Sequence, residues 1–304
     1  MISYKGLEAK LNERGITRSD LTKELGISSR TIAKIGRGEK LSRVVMEKLC
    51  NYFSCEAGEL CREISDNPIL QTLREEKDAK ISGGLYHELQ VRMTYNSNHI
   101  EGSRLTEDQT RLIFETNTLN AGDGVPVDDI LETVHHFRAI DYVIGCADAV
   151  LTEETIKELH FILKHDTKDS TLDWFAVGEY KKRPNVVGGR ETTKPRDVPV
   201  RMEALLDAYN AKREVTIHDI IALHAEFEKI HPFQDGNGRV GRLIALKECL
   251  RFGIVPFLIE DSKKAFYYRG LAGWDNEKGW LTDTCLDGQD TFKKMIAMFE
   301  VKGE

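Results

Sequence analysis

The sequence predicts an all-α protein carrying one small β-hairpin, on three observations. Apolar residues recur three and four positions apart along most of the 304-residue chain. Ser, Thr and Asp repeatedly stand where a helix start needs a side-chain cap. In the larger part of the chain, turn-forming residues concentrate in only two stretches, 120–127 and 178–198. Hydrophobic residues at 40% and charged residues at 31% are the make-up of a globular protein. No run approaches the ~18 consecutive apolar residues of a membrane-spanning helix, so no membrane partner is expected. The opening MISYKGLEAKLNERG lacks the apolar stretch of a secretory signal. The six cysteines form no CxxC pair and stand mostly among apolar neighbours, which reads as small buried hydrophobes in a reducing compartment. A cytoplasmic protein is expected.

The net charge of −7 is unevenly divided. Residues 1–50 hold 11 Lys and Arg against 6 Asp and Glu, and the remainder holds 32 against 44. A basic head on an acidic body predicts two jobs and two domains, 1–65 and 66–304, with the break where Asp66-Asn67-Pro68 interrupts the helical pattern. Overall acidity argues against a protein that coats nucleic acid along its whole surface.

Five short helices are expected in the head. Leu7 and Leu11 share one face, and Gly15 offers a left-handed end. Residues 17–20 (TRSD) have capping-box form and open a second helix with Leu21 and Leu25. Gly26 turns the chain. Ser28 caps a third helix with Ile32 and Ile35 inward and Ser29, Arg30, Thr31 and Lys34 outward. Val45, Leu49 and Phe53 mark a fourth, and residues 57–64 a fifth. Helix, glycine turn and Ser-capped helix form the helix-turn-helix layout, whose second helix enters the major groove. The stretch LTKELGISSRTIAKIGRGEK resembles the Cro/C1-type repressor family. That resemblance implies DNA as a partner, base contacts from Ser29, Arg30 and Thr31, and phosphates near Lys34 and Arg37. It also implies a homodimer, because one such module touches few phosphates. The same pattern fits a helical bundle that docks on the body or on another protein.

In the body, residues 178–198 (GEYKKRPNVVGGRETTKPRDV) carry two prolines, a Gly pair and β-favouring residues 185–187, which reads as a hairpin or flap. The chemistry concentrates in residues 216–251. Thr216 and Asp219 make a capping box for a helix marked by Ile217, Ile220, Ile221, Phe227 and Ile230. Val240, Leu243, Ile244, Leu246 and Leu250 mark the next helix, and HPFQDGNG lies between them. A loop that runs into a helix N-terminus presents free N–H groups and a positive dipole end, and its glycines let phosphate oxygens approach. Arg239 and Arg242, three apart, project to one side and can grip two phosphoryl groups. Asp235 is a hard oxygen ligand suited to Mg²⁺ beside a phosphate. His231 is suited to general-base work. GNGRVG also matches the dinucleotide fingerprint GxGxxG, but that fingerprint needs a preceding strand, and here the preceding residues are helical.

This stretch resembles the Fic family motif, HPFx(D/E)GNGRxxR, at every signature position, and the resemblance extends over about residues 80–280. It implies transfer of AMP from ATP to a Ser, Thr or Tyr hydroxyl of a target protein, itself included, with release of pyrophosphate. By resemblance, His231 deprotonates the hydroxyl and Asp235 holds Mg²⁺. The Gly236-Asn237-Gly238 backbone and the Asn237 side chain cradle the α- and β-phosphates, Arg239 supports the phosphate chain and Arg242 grips the γ-phosphate. A flap at about 178–190 pairs with the target's backbone and covers the nucleotide through Val186, Val187 and Gly188. Tyr267, of the Tyr267-Tyr268 pair, falls where the family contacts adenine. Upstream, Ser97, Glu101 and Gly102 fill the family's inhibitory pattern (S/T)xxxE(G/N) on a helix at about 84–102. Arg242 cannot hold Glu101 and a γ-phosphate at once, so this glutamate acts as a brake. His135, His136, His160, His165 and His224 are assigned no catalytic part. The same fold also serves AMP removal, transfer of UMP, phosphocholine or a phosphoryl group, or a nucleotide-sensing transcriptional regulator without turnover.

Overall fold

The computed structural model describes residues 2–63, 67–120 and 124–301, which fall into two units dividing at 66/67. The first unit runs β1 (Ile2–Ser3), α1 (Lys5–Glu13), α2 (Asp20–Leu25), α3 (Ser29–Gly36), α4 (Arg43–Phe53), α5 (Ala57–Leu60) and β2 (Arg62–Glu63). Leu7, Leu11, Leu21, Ile35, Leu49, Phe53 and Leu60 close its core. Ser28 caps α3 by accepting from the Thr31 N–H, and Ser42 caps α4 the same way through Val45. Residues 17–20 form half of the expected box: the Asp20 carboxylate accepts from the Thr17 N–H and hydroxyl at 2.9 and 2.7 Å.

Two expectations need correction here. The fifth helix stops at Leu60, and Arg62–Glu63 instead pair antiparallel with Ile2–Ser3. A short helix is marginal by itself, whereas the ladder satisfies backbone groups at both ends of the unit. So the described residues hold two small β elements where one was expected; Ile64, Ser65 and Asp66 lie outside them. The cysteines are all free, but only Cys249 and Cys285 are buried, and the other four are half-exposed.

The second unit contains α6 (Pro68–Ala79), α7 (Leu85–Ile100), α8 (Glu107–Thr116), α9 (Val127–Cys146) and α10 (Glu153–Lys164). After the hairpin β3 (Val186–Val187) and β4 (Arg190–Glu191) come α11 (Val198–Asn210), α12 (Ile217–Ile230), α13 (Asn237–Arg251), α14 (Lys264–Gly273) and α15 (Gly279–Met298). Of the turn-rich stretch 120–127, residues 121–123 lie outside the described residues. The central element is α13. It packs on α7, α9, α10 and α12, and every residue from Arg239 to Leu250 is buried. A helix covered on all sides carries no single apolar stripe, and it can hold charged side chains in the interior only where they are paired. Thr216 caps α12 with the full reciprocal box to Asp219. Among the described residues, no helix is long and apolar enough to cross a membrane.

Candidate active site

The loop between α12 and α13 is built by its own side chains. His231 ends α12 in the left-handed region (φ 52°), a conformation rarely taken by residues other than glycine, and its N–H donates to Phe227 at 2.9 Å. Phe233 is fully buried and stacked on His160, with ring centroids 4.0 Å apart. Asn237, the first residue of α13, accepts from the Phe233 N–H at 2.8 Å and donates to the Phe233 carbonyl at 2.9 Å. Its amide oxygen and one amide hydrogen thus shape the loop, while the Glu101 carboxylate lies against Gly238 beside it. Gly236 takes a left-handed conformation (φ 78°) that a side chain would strain.

His231 is half-buried, and its pKa falls to about 4, first through burial and then through the Lys181 ammonium. At neutral pH the ring is uncharged and able to accept a proton.

Arg242 is buried and fully engaged. Its Nε donates to Ser97 Oγ at 3.0 Å, and Nη2 donates to the Ser97 carbonyl at 2.9 Å and to Glu101 Oε1 at 2.7 Å. Nη1 reaches the Tyr267 hydroxyl at 3.4 Å. Glu101 follows the last residue of α7, and Gly102 after it takes φ 100°. A Cβ built on Gly238 would run into the Glu101 carboxylate, so the glycine provides the space that carboxylate fills.

Arg239 faces the other way. It pairs with Glu132 of α9 and, at 3.3 Å, with Asp235 Oδ2. Lys164, at the end of α10, bridges the same two carboxylates at 2.5 and 2.7 Å. Burial alone would raise the Asp235 pKa, but Arg239 and then Lys164 hold it well below the usual carboxylate range. Glu132, Lys164 and His160, whose Nε2 lies 3.2 Å from the Asp235 carbonyl, were not found by sequence reasoning. No local pattern marks them, because they come from two helices, α9 and α10, far in sequence from the loop they support.

The hairpin turns at Gly188-Gly189 (φ 56° and 77°), the paired positive values that a two-residue turn between twisted strands requires. Its strands lie at 186–187 and 190–191, within the stretch 178–198 read as a hairpin; residues 178–184 lead in without strand pairing. Val186 and Val187 are exposed. Lys181 fixes the base of the hairpin: its N–H donates to Pro232 at 2.8 Å, and its ammonium donates to Asn185 Oδ1 at 2.8 Å and Thr192 Oγ1 at 2.6 Å. Asn185 Nδ2 then donates to the Phe233 carbonyl at 3.1 Å. Burial pushes the Lys181 pKa down to about 8.

Tyr267 is enclosed, with its hydroxyl 2.8 Å from His224 Nε2; the exposed member of the pair is Tyr268, which donates to the Ile100 carbonyl at 3.2 Å. Glu228, one turn before the loop, is half-buried with an enclosed, unpartnered Oε1, and burial raises its pKa to about 8. In the head, Ser29, Arg30 and Arg37 are exposed and Thr31 and Lys34 half-exposed, all on or just after α3; Arg37 pairs with Glu39 at 2.5 Å.

Residues 150–249 match the Fic/DOC family, and residues 7–66 match the Cro/C1-type HTH DNA-binding domain. The chain is 32% identical to the protein adenylyltransferase Fic of Drosophila willistoni over 58% of its own length and 35% of the fly protein's. It is 30% identical to the Drosophila yakuba protein of that name over 68% and 43%. The chain thus spans about a third of the length of the first of these curated relatives. Among solved structures, a Fic domain containing signaling protein from Bacteroides thetaiotaomicron is similar with TM-score 0.57 and 26% identity, over 77% of this chain and 92% of that one. Fic-1 from C. elegans shares the fold, with TM-score 0.59 and 20% identity over 76% and 71%. This chain carries a Fic/DOC-family domain downstream of a Cro/C1-type helix-turn-helix domain.

Proposed function

We propose that the chain is a protein adenylyltransferase that transfers AMP from ATP to a target hydroxyl, its own included, and is held in check by Glu101. The observation that carries this reading is the pinning of Arg242, in the first turns of buried α13, by Glu101 and Ser97, with a neutral His231 at the other end of the loop, where α12 stops. In the transfer, the acceptor hydroxyl gives its proton to His231 as its oxygen bonds to the α-phosphorus. The bond from that phosphorus to the bridging oxygen breaks, and pyrophosphate leaves. The loop N–H groups of residues 236–238 take the α- and β-phosphates and Arg242 the γ-phosphate once Glu101 withdraws, so catalysis is mainly positioning and charge stabilisation.

Among the described residues, no cluster of three or more acidic, His or Cys side chains makes a metal cage. Asp235, with a half-exposed side chain, fits a cation that takes one carboxylate and substrate phosphates, as Mg²⁺ does. Bound there, Mg²⁺ would supply neutralisation of phosphate charge. Val186, Val187 and Gly188 of the hairpin cover the nucleotide in this reading, with Tyr267 positioning Arg242 from behind. The head binds DNA as a dimer through Ser29, Arg30 and Thr31, with Lys34 and Arg37 near phosphates. Free cysteines and the need for ATP favour the cytoplasm.

The test is incubation of the Glu101→Gly protein with ATP labelled at either the α- or the γ-phosphate. Protein-bound label from the α position alone is expected. Label from the γ position would instead mean phosphoryl transfer, and no label from either would leave a nucleotide-sensing regulator.

A further inference from the structure

The hairpin beside the loop is a basic strip on an acidic unit. Residues 181–196 hold six Lys and Arg against the single acid Glu191, whereas the chain beyond residue 50 holds 32 against 44. One of the six, Lys181, is buried and spent on anchoring. Arg190 donates to the Ala272 carbonyl at 2.6 Å, and Arg196 lies 3.5 Å from Asp197. Lys182, Arg183 and Lys194 are exposed, with no carboxylate partner among the described residues. Arg183 lies over the Trp174 ring at 5.2 Å, which holds its charge in one place.

Position gives this charge a use. β3 is bonded to β4 along one edge and, among the described residues, has no strand on the other, and its side chains Val186 and Val187 are 62% and 47% exposed. Lys181 and Asn185 tie the base of the hairpin to the carbonyls of Pro232 and Phe233, so the free edge is fixed relative to His231. A two-residue edge offers an extended peptide main-chain bonds that give direction and little affinity or choice. Selectivity must come from the flanking side chains, and three unpaired cations there favour carboxylates.

We propose that the hairpin selects an acidic target: an extended segment with Asp or Glu flanking the hydroxyl to be modified. This rests on the adenylyl-transfer reading and names its substrate class. Because the strip is exposed, the preference is salt-sensitive.

The test uses full-length Glu101→Gly protein and three fluorescent peptides with one central Ser, flanked by acidic, neutral or basic residues. Anisotropy at low salt is expected to show the acidic peptide binding about tenfold tighter than the neutral one, falling toward parity as salt rises. Combining Lys182→Glu, Arg183→Glu and Lys194→Glu should reverse the order, with an unchanged thermal midpoint as the control on folding. Equal binding of all three peptides by the unreversed hairpin overturns the proposal, and so does a reversed hairpin that still prefers the acidic peptide. So does a reversal that weakens duplex DNA binding and leaves peptide binding as it was. Absence of α-label transfer with the acidic preference intact would count against adenylyl transfer and leave the docking inference standing.

Discussion

Arg239 and Arg242 sit three residues apart on one buried helix, yet their surroundings differ in kind. Arg239 is locked into a four-member cluster with Glu132, Asp235 and Lys164, drawn from the middle of α9, the loop and the end of α10. Among the described residues, Arg242 depends for its one ion pair on Glu101, which caps the end of α7 just before a glycine. Side-chain exposure makes the same distinction: 17% for Glu132 against 28% for Glu101. A carboxylate held by two cations on two helices is part of the frame. One at a helix terminus, bonded to one arginine, can be exchanged for another anion. In the proposed reading, that difference makes Glu101, and not Glu132, the carboxylate that gives way.

The sharpest way to break this comparison is to remove each carboxylate in turn. Glu132→Ala leaves Arg239 and Lys164 short of a buried partner and should cost about 3–5 kcal/mol, read as a large drop in thermal midpoint. Glu101→Gly should barely move that midpoint. It should instead raise AMP transfer about 10–100-fold, the worth of one charge-assisted contact to Arg242. If the two variants exchanged phenotypes, the division between frame and brake would be wrong.

Glu228 sharpens the comparison from behind Arg242. Its folded pKa of about 8 lies above the ordinary glutamate value of 4.5, because burial disfavours its charge. The folded state therefore binds more protons than the unfolded state across that window. Stability from this group is full below pH 4.5 and is lost as pH rises through about 8. Glu228→Gln should flatten that decline, by up to ~1.4 kcal/mol per pH unit, in urea melts taken from pH 5 to 8.

The smallest effect expected is at Lys181. Lys181→Met removes the ammonium that helps depress the His231 pKa, so the acid limb of the transfer rate should move to higher pH. Lys181→Arg, which keeps the charge, should leave that limb in place. A limb unmoved in both variants would mean that burial alone sets the pKa of the imidazole.

How much of this was legible in the sequence follows from distance along the chain. His231, Asp235, the glycines, Arg239 and Arg242 fall within twelve consecutive positions, where helix periodicity and loop chemistry can be read directly. The Ser28 and Thr216 caps were legible for the same reason. Glu132 lies 107 residues from Arg239, and Lys164 lies 71 from Asp235; on paper both look like ordinary solvated charges. Glu228 gave no sign, since a charged residue near the end of a helix is usually exposed. The pairing of Ile2–Ser3 with Arg62–Glu63 was equally hidden, because two-residue strands carry no alternation to detect. For Asn237 the motif gave the residue but not its bonds to both backbone groups of Phe233.

The central claim is that Glu101 and a γ-phosphate compete for Arg242. Calorimetric titration of ATP and ADP into the wild-type and Glu101→Gly proteins tests it most directly. The account predicts that the substitution tightens ATP binding about 10–100-fold and leaves ADP nearly unchanged, because only ATP has a group to place where the carboxylate was. An equal gain for both nucleotides, or none for ATP, would contradict it.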